Sequence, residues 1–85
     1  MENYDDLREL LDNEYDWPSV YRFKVIVPID SLKQTEDILF DFILQYNYSK
    51  TKKFVSLTFG KEFNNSDEVI YVYQSLKDVK GVMTL

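Results

Sequence analysis

Neither cysteine nor histidine occurs in the chain, and this limits its options more than any other feature. Disulfides, thiol nucleophiles and imidazole bases are absent, and with them nearly every zinc, haem or iron–sulfur centre. No cofactor is expected. The 85 residues leave room for one compact domain. A domain of this size buries only about 60–65% of the surface its unfolded chain exposes, so packing or self-association has to hold it. Seven tyrosines, six phenylalanines and Trp17 provide the packing, because each ring buries a large area.

The periodicity along the chain predicts alternating element types. Tyr4 to Asn13 reads as a short amphipathic helix, with Tyr4, Leu7, Leu10 and Leu11 on one face. Pro18 disfavours helix for Trp17 and ends that segment. From Val20 to Val27 the period is two, with Tyr21, Phe23, Val25 and Val27 on one side and Arg22, Lys24 and Ile26 on the other. Ser31 with Gln34 three residues later has the capping-box spacing, and predicts a helix whose buried stripe runs Leu32, Thr35, Leu39, Phe42, Ile43, Tyr46.

Tyr46 to Phe59 reads as a β-hairpin turning at Lys50–Lys53, with Val55, Leu57 and Phe59 inward and Phe54, Ser56 and Thr58 outward. Gly60 and Asn64-Asn65-Ser66 are expected to break the chain before a second helix capped by Asn65 or Ser66. Lys80 to Leu85 is expected as a last strand. The order βαββαβ predicts an α+β, ferredoxin-like sandwich: a four-stranded antiparallel sheet with two helices on one face, preceded by a short N-terminal helix.

Charge divides the chain in two. Residues 1–16 carry seven acidic side chains against Arg8, a net of −6, and the rest of the chain nets +1. This predicts an acidic helical arm over 1–16 and a near-neutral domain over 17–85. The arm has two readings: it folds over Arg22, Lys24 or the lysine hairpin and shields them, or it packs through Leu7, Leu10 and Leu11. No apolar run reaches the ~20 residues that span a bilayer, and the acidic start lacks the pattern of a secretory leader, so cytoplasmic residence is expected.

Several stretches resemble the YbeD-like uncharacterised bacterial proteins. Trp17-Pro18-Ser19-Val20-Tyr21 followed by Phe23-Lys24-Val25-Ile26-Val27-Pro28 is similar to that family's first strand. Phe54-Val55-Ser56-Leu57 and Gly81-Val82-Met83-Thr84-Leu85 are similar to its third and fourth strands, and Asp67-Glu68-Val69-Ile70 leading to Tyr73 to its second helix. The resemblance covers residues 17–85. It implies a fold akin to small-molecule-sensing ACT domains and, from a role proposed for some members, a regulatory link to lipoate; it implies no catalytic residues. In the family's hairpin pattern a glycine stands where this chain has Lys52. Glycine there supplies a positive φ, so either the turn differs in shape or a binding role of the loop has drifted.

Candidate binding residues fall into two sets. Ser49, Lys50, Lys52 and Lys53, with Ser56 nearby, could hold a carboxylate or other small anion through charges and turn amides, or form a solvated turn that discourages strand pairing. Arg22 and Lys24 beside Phe54 and Ser56 mark an open sheet face suited to a protein partner or a homodimer. Nucleic acid is not expected. The third-strand signature of RNA-recognition modules keeps Lys50, Phe54 and Val55, but has Thr51, Lys52 and Leu57 where it needs a glycine and two aromatics. Adjacent acids such as Glu36-Asp37 and Asp5-Asp6 point to different sides of a helix, which does not suit general acid–base work. With two glycines in all, no nucleotide-binding glycine pattern exists. The expectation is a non-enzymatic regulatory or interaction module.

Overall fold

A computed structural model describes residues 4–85; Glu2 of the acidic stretch lies outside them. The elements are α1 (Asp5–Glu14), β1 (Ser19–Pro28), a 3-10 turn (Ile29–Ser31), α2 (Leu32–Ile38), β2 (Gln45–Tyr48), β3 (Phe54–Phe63), α3 (Ser66–Leu76) and β4 (Met83–Thr84). The four strands form one antiparallel sheet in the order β2-β3-β1-β4. The described residues thus form a small α+β fold with a four-stranded antiparallel sheet and three α-helices.

The period of two in β1 and β3 builds the core. Phe23, Val25 and Val27 pair across the sheet with Phe59, Leu57 and Val55, and all six are buried. Leu39, Val69, Val72, Leu76 and Val79 close over them from the helical side. The rings stack within this layer: Phe23 on Phe59 at 5.0 Å, and Phe42 edge-on to Phe59 at 4.9 Å. No buried side-chain nitrogen or oxygen among the described residues lacks a hydrogen-bond partner.

The acidic helix packs against α3, on the helical side of the sheet. Leu11 is 2% exposed and belongs to the core, Arg8 Nε bonds Asp67 Oδ1 at 2.8 Å, and Leu10 is 56% exposed. Packing by Leu7 and Leu11 is therefore what holds this helix, with Leu10 outside the contact. It does not lie over Arg22, Lys24 or the lysine hairpin.

Several expectations need correction. The helix that follows Ser31, α2, ends at Ile38 and does not carry its stripe to Tyr46, leaving Ile43 91% and Phe40 83% exposed. Residues 45–48 pair with β3 as the hairpin reading expects, and Tyr46, which the helical stripe also claimed, lies opposite Leu57 in the sheet. Ser31 does not cap that helix; its hydroxyl donates to the Lys80 carbonyl at 2.9 Å and ties the chain before β4 to the start of α2. Gly60 does not interrupt the third strand, which continues to the buried Phe63. A Cβ on Gly60 would approach the Tyr21 carbonyl to 2.7 Å, so the glycine serves close strand pairing there.

The other helix start matches expectation. The Asn65 side chain accepts from the Glu68 amide at 3.0 Å, while Glu68 Oε1 accepts from the Asn64 amide at 2.8 Å. The terminal strand is shorter than 80–85: only Met83 and Thr84 pair with β1, and the Leu85 amide donates to the Lys24 carbonyl at 2.9 Å.

Candidate functional site

Residues paired across a sheet point to the same side, so the register defines the outer face, away from the helices. One row runs Asn47, Ser56, Ile26, Met83 across all four strands. The next runs Gln45, Thr58, Lys24, and beyond it Arg22 lies opposite Gly60 and Val20 opposite Glu62. At the hairpin end Phe54 lies opposite Pro28. No helix covers this surface: Phe54 is 45% and Met83 53% exposed.

The outer face is graded. Its hairpin end is apolar, with Phe54, Pro28, Ile26 and Met83. Its middle is basic, with Lys24 and Arg22, whose side chains make no hydrogen bond or ion pair to the described residues. Glu62 is the single acid among the strand residues that face outward. The acids of α1, α2 and α3 lie on the other side of the molecule, where Asp5, Asp37, Asp41 and Asp67 pair with Arg8, Lys33 and Lys61.

The hairpin places Ser49, Lys50, Lys52 and Lys53 at its tip. Lys52 has φ of 61°, so a lysine here adopts the left-handed conformation that glycine favours. The Ser49 carbonyl accepts from the Lys52 amide at 3.0 Å, and Ser49 Oγ accepts from the Phe54 amide at 3.2 Å. The Lys53 carbonyl accepts from the Ile29 amide at 2.9 Å, anchoring the turn to the end of β1. Lys52 Nζ lies over the Tyr48 ring at 5.6 Å.

The structure brings Phe54 and Ser56 together with the outer-face residues, and Ser49 joins Phe54 at the hairpin base. It does not merge the two basic sets. Six strand positions separate Arg22 from Pro28, the partner of Phe54, a distance of about 20 Å at ~3.3 Å per residue. Sequence reasoning did not single out Met83 as part of the site, because only the pairing of β4 beside β1 sets it next to Ile26. Ile26 was already on the outer side by alternation.

Two hollows matter. A shallow one of about 400 Å³ lies at the hairpin base between Phe54, Tyr48 and Met83. A larger groove of about 940 Å³ lies on the helical side, between residues 38–42 and the start of α3. Several of its polar groups are engaged internally. Asp41 pairs with Lys61 at 3.4 Å, Lys61 Nζ lies over the Phe42 ring at 4.7 Å, and Asp67 holds Arg8. It reads as a seam between elements, and the outer face is the better candidate.

Three side chains titrate above their ordinary values. The Tyr73 hydroxyl is pushed above the ordinary tyrosine range, first by burial and then by its 2.8 Å hydrogen bond with Tyr21. Tyr46 is raised chiefly by the hydrogen bond it donates to Glu36, and Arg8 is raised chiefly by its bond to Asp67. Among the described residues, no group of three or more His, Cys, Asp or Glu side chains is placed to hold a metal ion. No helix among the described residues is long and apolar enough to cross a membrane.

No protein-family model matches the chain, and no curated protein matches it. Among solved structures it is similar to protein HP0495 from H. pylori, determined in solution as a structural-genomics target. The two are 24% identical over 88% of this chain and 92% of that one, with a TM-score of 0.66. The likeness is one of fold, and agrees with a compact α+β architecture.

Proposed function

We propose that this protein is a non-enzymatic interaction module, cytoplasmic in residence, that docks partners on the outer face of its sheet. The observation that carries the reading is the uncovered face itself: Phe54, Ile26 and Met83 lie beside unpaired Arg22 and Lys24 on a surface no helix occupies. The strand order β2-β3-β1-β4 favours the ferredoxin-like form of the fold. The YbeD-like resemblance, with its ACT-like implication, favours a regulatory setting. RNA is disfavoured, since of the outward positions on the two central strands only Phe54 is aromatic.

The test is native mass spectrometry of protein recovered gently from its host, with and without Phe54→Asp. A second polypeptide or a doubled mass that the substitution abolishes supports docking on this face. A partner or dimer retained in full by the variant sinks it. A second reading, a small-ligand sensor, is favoured by the hollow at the hairpin base. A small added mass would select it, and the ligand should then raise the melting temperature.

A further inference from the structure

We infer that the outer face takes an acidic amphipathic helix from another protein, laid along β1 with its apolar end toward Phe54 and its carboxylates over Arg22 and Lys24. The inference rests on the preceding reading and adds the chemistry of the partner. Charge is the first argument. The protein is acidic, with a net charge of −5, and its helical side carries most of the acids. The outer face bears Arg22 and Lys24 against Glu62 alone, so it is a positive surface on a negative molecule. An acidic partner is repelled by the helical side and drawn to the sheet's outer face and the lysine hairpin at its end.

Dimensions are the second argument. Arg22 to Pro28 spans about 20 Å, which matches about 13 residues of helix at 1.5 Å per residue. Leucines at i, i+3, i+4 and i+7 in one half would cover Phe54, Ile26 and Met83, and glutamates in the other half would reach the two cations. Helices already cover the opposite face of the same sheet, so the geometry is one this sheet supports. A second copy is the poorer occupant. Stacking this face on itself gathers two Arg22 and two Lys24 side chains in one contact, with only Glu62 from each copy to oppose them.

The test uses the full chain and two stapled helical peptides of equal length with the same leucine face, one flanked by glutamate and one by lysine. Binding is read by fluorescence anisotropy. The acidic peptide should bind more tightly, and weaken as salt rises from 50 to 300 mM, roughly as two screened surface charges allow. Arg22→Glu with Lys24→Glu should invert the preference by about tenfold or more, and such an inversion also shows that the variant is folded. Equal binding of both peptides, or a preference that the double reversal leaves unchanged, overturns the inference. If that equal binding is lost in Phe54→Asp, the docking reading stands without the charge argument. If Phe54→Asp weakens neither peptide, the docking reading falls as well. Failure of the acidic peptide to bind, or its displacement by oligo-uridine RNA that binds the same face more tightly, also overturns the inference.

Discussion

Replacing Leu11 by alanine tests whether the acidic helix is an appendage or part of the core. The sequence presents residues 1–16 as an arm, set apart by charge; the structure buries Leu11 to 2% exposure against the same cluster that holds Val69 and Leu76. Leu→Ala removes three carbons, worth about 2.4 kcal/mol at ~0.8 kcal/mol each. A residual cavity adds to this, and such substitutions cost about 2–5 kcal/mol in all. The lower half of that range is expected, because α1 is held to the body by few elements and can shift to close the gap. For a domain of this size, about 2.5 kcal/mol lowers the melting temperature by roughly 10–20 °C. Leu10→Ala, one position along and 56% exposed, is the matched control, and should change stability by less than about 0.5 kcal/mol. Thermal and urea unfolding, followed by far-UV circular dichroism and by Trp17 fluorescence, measure both variants. Equal small effects would refute the reasoning, and make α1 a detachable arm in solution. A large effect of Leu11→Ala with coincident transitions from both probes would place the helix in the single cooperative unit.

Two other perturbations follow from local geometry. Lys52→Gly relieves a non-glycine residue at φ of 61°, at the expense of unfolded-state entropy and the Lys52–Tyr48 contact. A net gain of up to about 1 kcal/mol is expected in urea unfolding, and a loss of stability would show that the lysine is not strained there. The Tyr73 hydroxyl titrates higher in the folded chain than its ordinary value of 10.0. Its contribution is therefore full below pH 10 and lost progressively as pH rises above it, where the unfolded chain gives up the proton first. Stability should fall more steeply above pH 10 in the parent than in Tyr73→Phe, by less than ~1 kcal/mol per pH unit since the ring is only half-buried. Parallel curves for the two proteins would contradict the burial argument.

Local pattern decided much of this protein. The alternation of Tyr21, Phe23, Val25 and Val27 settles which side of β1 meets the core, because successive strand residues face opposite ways whatever the partner. The outward placement of Arg22, Lys24 and Ile26 follows from the same alternation, and with it half of the candidate site. The Asn65 cap and the run Val69, Val72, Leu76 mark α3 equally well, since caps and helical stripes act within one or two turns.

Tertiary structure decided the rest, where residues far apart compete for the same atoms. Tyr46 fits both a helical stripe and the start of the hairpin in sequence, and pairing with β3 decides between them and takes Gln45 with it. Ser31 has a capping-box partner in sequence, but the Lys80 carbonyl takes its hydroxyl. The acidic arm could have gone to either side of the molecule; the burial of Leu11 against α3 outweighs the pull of exposed lysines, because apolar burial is worth more than screened surface charge. Met83 reaches the candidate site for a similar reason. A strand two residues long carries no pattern of its own, and its place beside Ile26 exists only once β1 has a free edge to offer.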